Sequence, residues 1–355
     1  MRYFAPLFLL LLMIIDSAPN VLAAQDVSCD ARPTRLDQPW MRTGLSCLEE
    51  VINDPDAGEL AFTALVTAPD GTLYAARPLS GEVFAFTDTD GDGLPESPQV
   101  VADGLTLPNA LAYDKGALFI AGGSHIYRLR DGELETLVDD LPSGGGFWTG
   151  GLMVGGAGQL YVATGAPCDF CDPDDPARGA ILQYAPDGSS REIVATGLRQ
   201  PADLAVRGSD AWVLDSAPSG WFDTPDLDEL NHIQYNSDFG FPYCIGRENT
   251  PALDGANCSN VTAPVVTFPT GSTPSGIAAY RGDAIPALEG KLLVVLSGAY
   301  NDLDLRGYQV VAADPQTGSY EALMPASPDV LGADFTVEEM NYRGIAQAIA
   351  ATGFE

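Results

Sequence analysis

Lysine is almost missing from this chain of 355 residues: only Lys115 and Lys291 occur, and Lys plus Arg total 17 against 49 Asp plus Glu. The formal net charge is −32. Nucleic acid is held through its phosphates by a basic face, so a nucleic-acid partner is not expected. The acidity suits an anionic surface that keeps the protein in solution, or loops that hold metal. Histidine is as scarce, with His125 and His232 alone. No apolar run reaches the roughly 20 residues needed to span a bilayer. Long helical periodicity is also absent; only residues 331–340 and 47–52 look briefly helical.

What is present begins with a secretion signal over residues 1–24. Arg2 gives a short positive end, an apolar run follows between Pro6 and Asp16, and Val21-Leu22-Ala23 fits a small-residue cleavage rule. Cleavage would start the chain at Ala24 or Gln25, with no lipobox cysteine there, so a periplasmic or secreted location is expected. Residues 25–355 exceed a typical single core, a limit that repeat-built folds escape.

The chain is punctuated by 38 Gly and 27 Pro. A unit recurs: a short apolar strand, a turn, a strand of the LYV type, then a hydrophobic third strand. It starts at Ala64, Ala110, Gly151, Asp203, Gly276 and Ile345, with long insertions after Ser216 and Asn249. The expected fold is all-β, a six-bladed β-propeller of four-stranded antiparallel sheets spanning residues 61–355. The last repeat is short, so either residues 25–60 close the final blade or that blade is incomplete.

Six cysteines in an exported chain read as disulfides. Local pairing is the simplest connectivity: Cys29–Cys47, Cys168–Cys171 and Cys244–Cys258. The CxxC at Cys168 offers a redox or metal half-site as the alternative. No His follows Cys171, which excludes c-type haem attachment, and no second CxxC completes a zinc site.

Asp88, Asp90 and Asp92 alternate around glycines, with the Leu94 carbonyl and the Glu96 carboxylate following. Oxygen ligands at alternate positions of a tight turn suit calcium. The bidentate Glu of a full EF-hand loop is missing, and a solvated tip linking blade 1 to blade 2 is the plainer reading.

The order GGGFWTGGL, QLYVATG, CDFC, RGAILQYAPDGS and ATGLRQPADLAV, followed by DELNHIQYNSDFGFPYC, resembles the glucose/sorbosone dehydrogenase family from about residue 60 onward. The resemblance implies a six-bladed propeller that uses pyrroloquinoline quinone (PQQ) and calcium to oxidise a small-molecule sugar or alcohol. It implies quinone contacts from Trp148, Arg199, Gln200, Arg306 and Arg343, because a guanidinium fork suits the carboxylates of this cofactor. It implies a calcium held with the help of Asp228 and Glu229, in a stretch where Phe239-Gly240-Phe241-Pro242 replaces the usual Tyr-Gly-Trp-Pro.

Departures from the pattern concern the reaction itself. Phe147 stands where the family has its proton-accepting His, and Gly150 where it has an Arg. Asp169 or Asp172 could substitute as base, since geometry and pKa select a general base. Tyr300 and Asp302 replace a further Trp and Arg. Three readings follow: a quinone-dependent dehydrogenase of weak or altered activity, a calcium-stabilised binding module without catalysis, and a calcium-dependent lactonase. The last would need Asn109, Glu229 and Asn231 to converge on the central axis.

Overall fold

The computed structural model describes residues 62–91, 95–96, 98–218, 227–248, 250–282, 285–298 and 306–324. The signal segment, residues 25–60, the Cys29–Cys47 pair, Asp92, Leu94, Tyr300, Asp302, Arg343, both briefly helical stretches and the repeat at Ile345 lie outside them.

The fold is a β-propeller, and five blades lie among the described residues. Blade 1 is β1 (Ala64–Thr67), β2 (Leu73–Arg77), β3 (Glu82–Phe86) and β4 (Gln99–Ala102). Blade 2 is β5 (Pro108–Asp114), β6 (Ala117–Gly122), β7 (His125–Arg130) and β8 (Glu133–Val138). Blade 3 is β9 (Thr149–Val154), β10 (Leu160–Thr164), β11 (Ala180–Tyr184) and β12 (Arg191–Thr196). Blade 4 opens with β13 (Pro201–Arg207), β14 (Asp210–Asp215) and β15 (Asp228–Ile233). An insertion then carries β16 (Ser237–Asp238), β17 (Cys244–Ile245) and β18 (Thr250–Pro251) before β19 (Val266–Phe268) completes the blade. Blade 5 is β20 (Pro274–Ala279), β21 (Leu292–Leu296), β22 (Gln309–Asp314) and β23 (Ser319–Met324).

Each blade is an antiparallel meander, and the first strands β1, β5, β9, β13 and β20 lie side by side around the axis. Local chemistry sets the hairpins. Lys115-Gly116 and Asp131-Gly132 are two-residue loops with positive φ at both positions, the turn whose twist matches paired strands. Second strands are covered on both faces, so β6 (ALFIAG) and β21 (LLVVL) are buried throughout. Their apolar residues form cores between blades. Phe119 and Ile126 of blade 2 pack with Leu152, Leu160 and Leu182 of blade 3. Leu214, Leu230 and Phe268 of blade 4 pack with Ile277, Leu292 and Val294 of blade 5.

Two relationships differ from expectation. The loop bearing Asp88, Asp90 and Glu96 joins β3 to β4 and so lies inside blade 1, not between blades 1 and 2. The chain needs a fourth strand to cover the outer edge of β3 before it moves on, and the loop precedes that strand. The insertion of blade 4 also reaches its neighbour: β16 adds in parallel to β12, pairing Ala195 with Ser237 and Thr196 with Asp238.

Candidate functional site

The starts of the five first strands surround a cavity of about 330 Å³. Its wall includes Thr63, Asn109, Phe147, Trp148, Thr149, Gln200, Pro201 and Ser275, so every described blade contributes and the cavity is the mouth of the central channel. Among the described residues its lining carries no charged side chain. The Asn109 amide donates to the Thr149 carbonyl at 2.9 Å, and the Thr149 hydroxyl donates to the Gly123 carbonyl at 2.9 Å. Trp148 is 49% exposed and presents its indole at the rim.

The loop that carries Phe147 and Trp148 is held from below. Gly144, Gly145 and Gly146 all have positive φ, which glycine alone adopts without cost. Buried Arg178 donates to the carbonyls of Gly144 and Gly165 at 2.6 Å, and to those of Gly145 and Phe147 at 3.4 Å. Its role escaped the sequence reading because a lone Arg before a strand carries no motif; only the folded loop brings those carbonyls together.

Gly150, set by the sequence resemblance where an Arg is expected, sits in a tight backbone contact. A Cβ there would lie 1.7 Å from the Pro201 carbonyl oxygen, and one at Gly151 would lie 2.3 Å from the Leu204 nitrogen. The first strands of blades 3 and 4 touch backbone to backbone, so an Arg at position 150 has no room.

Arg199 lies under Phe147, with its guanidinium carbon 4.2 Å from the ring centroid. Its Nη2 donates to the Asp169 carboxylate, and its Nε donates to the Asp169 carboxylate and carbonyl, each at 3.0 Å. Nη1 donates to the Ser216 carbonyl at 3.0 Å. The backbone amides of Arg199 and Gln200 are received by buried Asp215, whose carboxyl burial pushes up to about 7. Asp169 therefore faces Arg199. Asp172, the other candidate base, accepts a hydrogen bond from the Tyr243 hydroxyl at 2.6 Å. Neither lines the cavity.

Two of the expected disulfides are present, Cys168–Cys171 and Cys244–Cys258. The segments flanking them meet through the Tyr243–Asp172 hydrogen bond and an edge-on contact of Phe170 with Phe241, centroids 6.2 Å apart. His125 stacks on Tyr127, and His232 packs on Trp212 beside Asp210; both open or line third strands, away from the mouth.

Asp228 and Glu229 are consecutive on β15, so their side chains leave on opposite faces. Both Asp228 oxygens are taken, by the amides of Ala217 and Thr273 at 2.8 Å. Glu229 accepts from Gly246 N–H and from the Asn231 amide, each at 3.1 Å. Burial pushes Asp228 to about 6 and Glu229 to about 8. Among the described residues the buried Asn231 Oδ1 beside Glu229 has no hydrogen-bond partner. An oxygen-ligated cation therefore fits the Glu229 face better than the Asp228 face. In blade 1, carboxylate oxygens of Asp88, Asp90 and Glu96 lie within 4.8 Å of one another on the surface.

PQQ fits poorly. Its carboxylates need cations, yet among the described residues Arg199 is covered and paired, and Arg306 points Nη1 at the Thr270 carbonyl, 3.3 Å away. Asn109 lines the mouth while Glu229 and Asn231 sit on the third strand of blade 4, so the lactonase constellation does not assemble.

Fold and site together define a β-propeller with a ligand-sized cavity at its channel mouth. The sequence profile of the glucose/sorbosone dehydrogenase family matches residues 128–314, more than half of the chain, and the chain belongs to that family. No curated protein sequence matches it. Solved structures similar to it include a carbohydrate-active enzyme of family AA12 from Trichoderma reesei, at 15% identity over 77% of this chain and 85% of that chain, TM-score 0.62. The holo PQQ domain of a pyranose dehydrogenase from Coprinopsis cinerea is similar at 14% identity, 74% and 78% coverage and TM-score 0.58. A PQQ-bound aldose sugar dehydrogenase from Streptomyces coelicolor is similar at 17% identity, 74% and 80% coverage and TM-score 0.53. Among the described residues no helix is long and apolar enough to cross a membrane.

Proposed function

We propose that this chain is an exported, sugar dehydrogenase-like propeller that binds a small uncharged sugar or alcohol at the channel mouth. Oxidation of that ligand through PQQ is weak or absent. The observation that carries this reading is Phe147, which forms part of the cavity wall and covers Arg199; the sequence resemblance sets it where the family's base is expected. A phenyl ring accepts no proton, and a positioned general base is worth about 10² to 10⁴ in rate.

The remaining lining supports ligand binding. Exposed Trp148 offers an apolar face to a sugar ring, while Asn109, Gln200 and Ser275 offer amides and a hydroxyl to its oxygens. The similar structures are named as pyranose and aldose sugar dehydrogenases, which supports a sugar as the ligand class. A calcium structure of the AA12 enzyme supports calcium as a stabilising ion, for which Glu229 with Asn231, and separately Asp88, Asp90 and Glu96, supply oxygen ligands. A binding module without turnover is the limiting case of the same reading.

The test is a calorimetric titration of purified protein with aldoses, with and without PQQ and calcium, beside dye-coupled oxidation. Saturable sugar binding that needs no quinone, with dye reduction at least 100-fold below an active sugar dehydrogenase, is expected. Efficient quinone-dependent turnover by the natural chain would overturn the reading.

A further inference from the structure

We propose that Asp169 sets the charge selectivity of the channel mouth: paired with Arg199 beneath Phe147, it makes the mouth accept uncharged ligands and refuse carboxylate-bearing ones. The inference rests on the reading of the mouth as a ligand site and adds what decides the class of ligand.

Arg178 is spent on the backbone carbonyls of the Gly144–Phe147 loop, and the fork of Arg199 is likewise engaged on every side. Asp169 takes Nε and Nη2, the Ser216 carbonyl takes Nη1, and the Phe147 ring covers one face. The side chain of Arg199 is 4% exposed and that of Asp169 is 50% exposed. The carboxylate is thus the solvent-facing member of the pair. The positive charge beneath the Phe147 ring is therefore already paired before any ligand arrives. At contact distance a carboxylate and a guanidinium cancel each other's field over the length of a small ligand.

Both partners are fixed. Asp169 lies inside the ring closed by Cys168 and Cys171. Arg199 is anchored through its own amide to Asp215. An incoming anion would have to displace a covalently braced carboxylate and a phenyl ring to reach the guanidinium. Uncharged polyols have no such requirement and meet the amides and hydroxyls of the wall directly.

The experiment uses the full mature protein and PQQ itself as probe, an anion with three carboxylates, with citrate as a competitor that lacks the quinone. Binding is read by equilibrium dialysis, with a neutral aldose titrated in parallel. The natural chain should show no saturable PQQ binding below about 100 μM. Asp169→Asn combined with Phe147→Ala should bind PQQ at least tenfold more tightly than that, citrate should compete, and adding Arg199→Gln should abolish the gain. Asp169→Asn alone, which keeps size and one acceptor, should give a smaller gain. Circular dichroism identifies any variant that fails to fold, and the result for the natural chain then decides. Micromolar PQQ binding by the natural chain, or none by the folded double variant, overturns the proposal. Absent aldose binding beside the expected quinone results would instead overturn the sugar reading alone.

Discussion

The guanidinium carbon of Arg199 lies 4.2 Å from the centroid of the Phe147 ring, so the residue we propose for the family's base position also covers this arginine. One substitution therefore has two effects, and restoring the base should not restore the reaction. Phe147→His replaces the ring with one that accepts a proton but brings no cation for PQQ. Dye-coupled sugar oxidation by Phe147→His is expected to stay within threefold of the natural chain. The same variant should lose about 0.5–2 kcal/mol of stability, because neutral imidazole covers a cation less well than phenyl. A rise in turnover of 100-fold or more would show that enough of the cofactor site survives.

Gly150 makes the sharper steric prediction. Its missing Cβ would sit 1.7 Å from the Pro201 carbonyl oxygen, and that oxygen is backbone. Gly150→Ala should lower stability by roughly 1–3 kcal/mol or more, the range for overpacking, although alanine is otherwise the gentlest change. Gly150→Arg should not fold. Urea denaturation of the alanine variant checks this, and a midpoint equal to the natural chain's would mean the two first strands stand further apart.

Blade starts were legible because each first strand follows a turn and runs apolar: Ala64, Ala110, Gly151, Asp203 and Gly276 all fall within the first strands found. Two disulfides were legible from spacing alone. The site was less so. Asp169 and Arg199 are 30 residues apart and meet only because the CxxC loop folds back onto the end of blade 3. Asp228 and Glu229 read as an acidic pair, yet strand alternation sends them to opposite faces. Asp172 read as a spare base, and its partner Tyr243 comes from an insertion 71 residues later. Periodicity carries the fold, whereas these contacts are set by loops whose path has no period.

We propose calcium for the blade 1 loop, and it yields a conditional prediction. The Asp88 carboxylate accepts from Gly91 N–H at 2.7 Å and the Glu96 carboxylate from Thr89 N–H at 2.9 Å, which gathers the acids on one side of the turn. Like charges so gathered repel until a cation arrives. An ion bound only by the folded chain adds about 2.7 kcal/mol at a hundred times its dissociation constant. Asp90→Ala should therefore lower the melting temperature in millimolar calcium and change it little in chelator. An equal loss in both conditions would mean that the loop holds no metal.

Asp203 gives the pH prediction. It sits at the irregularity between Pro201 and Leu204 on β13, accepts from Leu204 N–H at 2.8 Å and, across the blades, from Ile277 N–H of β20 at 3.0 Å. The first strands of blades 4 and 5 are thereby joined through one carboxyl. Burial pushes its pKa up to about 7, against the two amides, which pull it down. In the unfolded chain it titrates near the ordinary aspartate value of about 3.9. Between those two values the folded state keeps the proton and the unfolded state has lost it. The unfolded state then binds fewer protons, so stability falls as pH rises through this window and levels off above the folded pKa. The slope from one such group is at most about 1.4 kcal/mol per pH unit. Asp203→Asn removes that titration while leaving one acceptor for the two amides. The variant should be less stable than the natural chain near pH 5, and the gap between them should narrow as pH rises to 8. Urea midpoints in chelator across that range measure it. A gap that stays constant would mean that Asp203 is ionised in the fold throughout, and that the two amides hold it as a carboxylate.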